Sequence, residues 1–329
     1  MKLFSGLSAF PITPMTSAGE VIVPDLQGLV RRIEAGGADS IGLLGSTGTY
    51  MFLTRDERRR AVAAAVGSAA STPVIVGVGA LRTDEARALA RDAAEEGAAG
   101  LLLAPVSYTP LTEDEVFQHF CAVASATSLP LCIYSNPGTT NFTFSPALVG
   151  RLAAVPTIAA IKLPLPAGDV ASDLGDFRRA APGLSIGYSG DWGCKDALLA
   201  GADGWFSVVG GLFPERAAAL TAAAMANDRA GADAHNEAFA PLWGLCKAVG
   251  SVRVMYAAAN AMGLTRAQPP RPLLGLSPAD QETLAALLDS PPQTRALDLS
   301  ASAAGRQGRV LACGGAAPGI MYQGVGPGS

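Results

Sequence analysis

The chain is 329 residues long, 49% apolar against 16% charged, with a net charge of −4. That apolar fraction excludes a disordered polyelectrolyte, and the slight negative charge excludes the broad basic surface that nucleic acid requires. With 38 Gly and 23 Pro but no period of three, no apolar run near ~18 residues and no cleavage-like site after Met1, the chain is expected to be neither collagenous, membrane-spanning nor secreted.

Short apolar runs recur from the start of the chain: residues 7–13, 40–44, 74–78, 100–104, 131–134, 158–163, 184–188 and 204–209. Each is too short for a typical helix, and each is rich in Val, Ile and Leu or bounded by Pro and Gly. None alternates apolar with polar, as expected of parallel strands covered on both faces. Helix starts lie between them. Thr54-Arg55-Asp56-Glu57 and Thr112-Glu113-Asp114-Glu115 are capping boxes, in which the Thr hydroxyl and the Glu carboxylate satisfy free backbone N–H groups. Thr83-Asp84-Glu85 puts two carboxylates at a positive helix end, and Ser145-Pro146 sets a capping hydroxyl before a first-turn proline. Eight such units over residues 1–228 predict an α/β chain folded as a (β/α)₈ TIM barrel. A doubly wound open sheet is the competing architecture. Gly42-Leu43-Leu44-Gly45-Ser46-Thr47-Gly48 follows a strand, but its glycine spacing is not that of a dinucleotide fingerprint, and no phosphate-binding Gly-Lys-Ser/Thr occurs.

Beyond the eighth unit, His235, Phe239, Leu242, Cys246 and Val249 recur at helical spacing, with Pro241 expected to bend that helix. Residues 252–262 and 278–288 also read as helices. Residues 229–290 are therefore expected to form additional C-terminal helices packed on the barrel. From residue 291 the patterning fails, and 291–329 is expected to be a disordered tail.

Of 24 basic residues, 20 are Arg and four are Lys: Lys2, Lys162, Lys195 and Lys247. The five Cys (Cys121, Cys132, Cys194, Cys246, Cys313) form no CxxC pair, which suits a reducing, cytoplasmic location. His119 and His235 are far apart in sequence, so no metal site is expected.

In a barrel of this kind, chemistry collects where strands end. Those ends are Gly45-Ser46-Thr47-Gly48, Tyr134-Ser135-Asn136-Pro137, Lys162, Ser189-Gly190-Asp191 and Ser207-Val208-Val209-Gly210-Gly211. Burial disfavours an ammonium, and attack on a carbonyl needs the neutral amine, so Lys162 is a candidate nucleophile; a snorkelling or ion-paired Lys is the competing reading. Tyr134 ends the neighbouring strand, where a phenol can move protons to and from a carbinolamine. Taken alone, it also reads as an ordinary half-buried aromatic. Ser46 and Thr47 offer hydroxyls and glycine-flanked N–H groups that suit a small carboxylate, or simply a tight turn. Gly190, Ser207 and Gly210-Gly211 allow a ligand close to the backbone, and loops at these strand ends keep a phosphorylated substrate open.

Together with Ala9-Phe10-Pro11-Ile12-Thr13-Pro14 and Pro270-Arg271-Pro272-Leu273, these segments resemble the dihydrodipicolinate synthase and N-acetylneuraminate lyase family of Schiff-base aldolases, over residues 4–290. The resemblance implies a Schiff base between Lys162 and pyruvate or another 2-oxo acid, with Tyr134 as the proton-transfer phenol. It implies Ser46 and Thr47 on the substrate carboxylate, Ser46 also at the relay hydroxyl, no cofactor, and a homo-oligomer, dimer or tetramer. The chain departs from the family where substrates differ. Thr49 replaces the usual Glu after Gly48. Ser107 stands where synthases carry a Tyr that reaches the neighbouring subunit, with Tyr108 one residue later. Thr139 replaces an Arg that binds the aldehyde substrate's carboxylate, and the path from Lys162 to Gly168-Asp169 is long and proline-rich. The expected activity is therefore that of a class I aldolase or lyase acting on a 4-hydroxy-2-oxo acid. A genuine dihydrodipicolinate synthase, a hydratase of the same family, and a non-catalytic barrel that binds a small acid and regulates a partner are the alternatives.

Overall fold

A computed structural model describes residues 2–289. Eight parallel strands close in sequence order into a barrel: β1 Gly6–Ala9, β2 Ser40–Leu43, β3 Val74–Gly77, β4 Gly100–Leu103, β5 Leu131–Tyr134, β6 Ile158–Pro164, β7 Ser185–Ser189 and β8 Gly204–Ser207. Around them run α1 Val23–Ala35, α2 Arg55–Val66, α3 Thr83–Glu95, α4 Glu113–Ala124, α5 Pro137–Thr140, α6 Pro146–Leu152, α7 Val170–Ala180, α8 Cys194–Leu199 and α9 Pro214–Met225. The TIM barrel anticipated from the repeat is present, and the open sheet is not.

Strand side chains sort by period two. Leu131, Ile133, Ile161 and Leu163 face the helices in the large outer core, whereas Cys132, Tyr134 and Ala160 join Phe4, Phe10, Ile75, Leu102 and Phe206 in a smaller inner cluster. Lys162, two residues beyond Ala160, therefore belongs to the inner face. Both capping boxes form as the sequence predicts, on α2 and α4, and Ser145 caps α6 through the Leu148 N–H. At the opposite end of the barrel from the βα loops, carboxylates hold strand starts. Asp39 accepts from Leu7 N–H at 2.7 Å, and Asp203 accepts from Ile186 N–H at 2.8 Å.

Two strands stop two or more residues short of their apolar runs. β1 stops at Ala9 because Pro11 and Pro14 cannot donate to a ladder, and residues 10–14 leave the sheet to cross the mouth. β8 stops at Ser207, where the chain tightens into a single turn over Val209–Gly211. The short α5 directly after β5 was not legible as a helix.

The C-terminal segment forms α10 Arg229–Val249, α11 Ser251–Ala261 and α12 Pro278–Asp289. α10 runs unbroken through Pro241. Pro241 and Glu237 both lie on its exposed face, so the carbonyl that proline leaves without a donor is open to solvent. Tyr256 donates to the Thr13 carbonyl at 2.7 Å and Thr265 to Asp25 at 2.6 Å, tying this segment to the β1 loop and to α1. The tail expected over 291–329 lies outside the described residues. Among the described residues, no helix is long and apolar enough to cross a membrane.

α2 and α3 are joined by one ionic cluster. The buried Asp92 carboxylate accepts two bonds from Arg55, at 2.6 and 2.7 Å, and one from Arg59 at 3.3 Å. The Arg55 hydrogen bond holds the Asp92 carboxyl below the usual range against the opposing effect of burial. A depressed folded-state pKa contributes stability above the unfolded-state value, near ~4, and loses it as pH falls through the folded value. Asp92→Ala is thus expected to lower the thermal midpoint at pH 7, with the deficit against wild type shrinking in melts taken stepwise below pH 4.

Candidate active site

Lys162 is 5% exposed and stands on β6 directly opposite Tyr134 of β5 in the strand register. Its Nζ lies 3.8 Å from the centroid of the Tyr134 ring, 4.5 Å from that of Phe10 and 5.9 Å from that of Phe206. Phe10 and Phe206 meet edge-to-face at 6.2 Å. Phe10 can lie here because β2 and the turn after it put glycines beneath it: a Cβ on Gly42 would fall 2.2 Å from the ring, and one on Gly45 2.7 Å. Among the described residues Lys162 has no ion-pair partner, unlike Lys195, whose Nζ is 2.6 Å from Asp233. The ion-pair reading of Lys162 therefore fails. The amine sits in an aromatic box at the barrel mouth.

Beside it lies a triangle of polar groups. The Tyr134 hydroxyl and Ser46 Oγ are 3.1 Å apart, and Asn136 Nδ2 donates to both, at 3.1 Å to Tyr134 and 3.4 Å to Ser46. Burial pushes the Tyr134 phenol up, but the Lys162 charge and the hydrogen bonds from Ser46 and Asn136 outweigh it and hold the phenol below its ordinary value. Thr47 is buried next to Ser46. The backbone N–H groups of Ser46 and Thr47 have no partner among the described residues, so the turn presents two hydroxyls and two unused donors together. Such a turn suits a small carboxylate.

The β7 and β8 ends close the far side. Gly190 has φ +99°, a left-handed conformation that glycine adopts without strain. It turns the chain so that Asp191 is fully buried, where it accepts from Trp205 Nε1 at 2.9 Å, Val208 N–H at 3.2 Å and Val209 N–H at 2.8 Å. Burial pushes its carboxyl up, and those three donors oppose the shift. Ser207, wholly buried, accepts from Gly210 N–H at 2.8 Å, so its hydroxyl fixes the same turn. Asp191→Asn swaps one acceptor oxygen for a donor that must face an N–H. It is expected to cost about 2–3 kcal/mol in urea unfolding, the penalty for leaving a buried donor unmet.

The structure thus gathers Lys162, Tyr134, Ser46 and Thr47, with Gly190 in the turn after β7 and Ser207 at the end of β8. Two other candidates stand apart. Tyr108 is 93% exposed in this chain. Thr139 is exposed on α5, its hydroxyl donating to the Asn136 carbonyl at 3.3 Å. Sequence reasoning gave no role to Phe10, Phe206, Asn136 or Asp191, although the last three sit in or next to a segment singled out at a strand end and Phe10 lies in the family-like segment Ala9–Pro14. The period-two pattern could have placed Phe206, which lies on the inner face of β8. The contacts of Asn136 depend on how the chain turns after β5, and no spacing shows that.

A sequence model of the Dihydrodipicolinate synthetase family matches residues 3–290. The 4-hydroxy-tetrahydrodipicolinate synthase of Methylococcus capsulatus is 36% identical over 226 residues, 68% of this chain and 77% of that protein. The one from Azoarcus sp. is 37% identical over 221 residues, 67% and 75% of the two chains. Among solved structures, a dihydrodipicolinate synthase from Agrobacterium tumefaciens superposes with a TM-score of 0.85 at 53% identity, covering 89% of this chain and 99% of its own. The chloride-inhibited synthase from Acinetobacter baumannii, solved with pyruvate, has a TM-score of 0.81 at 29% identity, covering 87% and 98%.

Proposed function

This chain belongs to the dihydrodipicolinate synthetase family, a lyase of the class I aldolase type, and we propose that Lys162 forms its Schiff base with pyruvate or another 2-oxo acid to make or break a C–C bond in a 4-hydroxy-2-oxo acid. The observation that carries this assignment is the register pairing of a buried Lys162 with Tyr134, whose hydroxyl is bonded to Ser46. Pyruvate is the reference substrate because the Acinetobacter baumannii relative was solved with it.

The substrate carboxylate docks on the Ser46-Thr47 turn, which brings the ketone carbon to Nζ. The C–N bond forms as the carbonyl electron pair moves to oxygen. That oxygen takes up a proton through Tyr134 and Ser46, and the proton released by nitrogen returns to the relay. A second proton, drawn from solvent, lets the C–O bond break and water leave, and the nitrogen lone pair closes the C=N bond. The resulting iminium is the electron sink. When the Tyr134–Ser46 relay takes the proton of the C4 hydroxyl, the C3–C4 bond breaks, an aldehyde leaves, and the electron pair of the broken bond forms an enamine. Protonation at C3 and hydrolysis then release the 2-oxo acid. Run backwards, the enamine attacks an aldehyde. We assign the barrel with its C-terminal helices to one protomer of a homo-oligomer.

Borohydride added with pyruvate is expected to fix a stable adduct on Lys162, seen as a mass increase on the peptide that contains it. No adduct, or an adduct elsewhere, sinks the assignment. A second reading has its own support: the curated relatives described above are named synthases. Condensation of pyruvate with aspartate semialdehyde tests it. Thr139 offers no cation for that aldehyde's carboxylate, so retro-aldol cleavage of 4-hydroxy-2-oxo acids, read as pyruvate release, is expected to be the faster reaction.

A further inference from the structure

Ser46 and Tyr134 share one hydrogen bond, yet two hydroxyls carry two protons, and something must fix where each one points. Asn136 does this by geometry. Its Nδ2 donates to both oxygens, so neither hydroxyl can turn its own proton toward the amide. One proton is then confined to the Ser46–Tyr134 bond, and the other is left for a reacting oxygen. The Asn136 side chain has no structural duty that competes with this. It makes no capping bond to α5, and the turn is held instead by the Asn136 carbonyl, which accepts from Thr139 N–H at 2.9 Å and Thr140 N–H at 3.0 Å. Every member of the cluster lies on this one chain.

We propose that Asn136 is the third member of the proton relay, a positioning residue that orients the Ser46 and Tyr134 hydroxyls for carbinolamine formation and dehydration within a single protomer. The assignment rests on the Schiff-base reading of Lys162, but its central consequence can be measured without substrate. Asn136 is one of the groups that hold the Tyr134 phenol down, so removing its donor raises the pH at which that phenol ionises.

The test compares the wild-type chain with Asn136→Ala and Asn136→Asp. Asparagine and aspartate have nearly the same shape, but the acid has no donor for either hydroxyl and brings negative charge beside the phenol. Tyr134 ionisation is read as the ultraviolet difference between each chain and its Tyr134→Phe counterpart. The midpoint is expected to rise in Asn136→Ala and to rise further in Asn136→Asp. Imine formation with pyruvate, followed by borohydride trapping over time, is expected to slow in both by up to about 10²-fold, the lower end of the loss for one preorganised donor, while KM for pyruvate changes much less. An unmoved phenol midpoint overturns the proposal, as does wild-type trapping speed in both variants. A wild-type chain that traps no pyruvate overturns the Lys162 reading instead, and the phenol titration still decides whether Asn136 tunes Tyr134.

Discussion

Lys162→Met is expected to fold, to be as stable as the wild-type chain or more so, and to lose more than about 10³-fold of its activity, because removing a covalent nucleophile removes the pathway and not one contact of many. The two halves of this result have one cause. Lys162 is 5% exposed among three aromatic rings, with no carboxylate paired to it among the described residues. A thioether of similar length fits those walls without the cost of desolvating an amine, and a gain of about 1 kcal/mol is expected on removing a group kept for function. The measurements are the urea midpoint, with m unchanged, and pyruvate release from the best substrate. A marked loss of stability would show that the amine is part of the scaffold. The alanine variant tests the chemistry less cleanly, since it also opens a cavity in the inner cluster.

The same prediction shows what sequence could and could not reveal. That Lys162 lies near the end of a buried strand could be read from its apolar run, although β6 continues past it to Pro164, and the eight-fold repeat placed that end at the mouth. Period two put Tyr134 and Lys162 on inner faces once their strands were known to be neighbours. The aromatic box could not be read in this way. Phe10 reaches the amine only because β1 ends early and the following prolines carry the chain across the mouth, onto a floor cleared by Gly42 and Gly45. Asp191 was visible within a family-like segment, but its function is to satisfy three N–H groups of the β8 end, and pairing across that distance leaves no spacing signal. Tyr108 and Thr139 mark the opposite limit. Thr139 stands at the position of a family substrate contact and Tyr108 one residue past a family Tyr, and both face solvent in this chain.

Tyr134→Phe is expected to lower kcat about 10²- to 10³-fold, in the range of a lost general acid–base group, with a smaller change in KM. The ring is retained, so the 3.8 Å contact with Lys162 survives and pyruvate still forms a trappable imine, only more slowly. The pH dependence has a definite sign. Burial acts to raise the phenol, and the Lys162 charge with the hydrogen bonds from Ser46 and Asn136 overcomes it, so wild-type Tyr134 ionises below the usual ~10. The alkaline limb of the rate profile is therefore expected below that value in the wild-type chain and absent in Tyr134→Phe. In Ser46→Ala it moves upward, because one lowering bond is gone. The largest movement belongs to Lys162→Met, which lacks the charge that chiefly opposes burial, so its phenol is expected to titrate above the ordinary range when followed by ultraviolet absorbance. An unchanged phenol in that variant would separate Tyr134 from Lys162 electrostatically and leave the proton relay without its coupling to the amine.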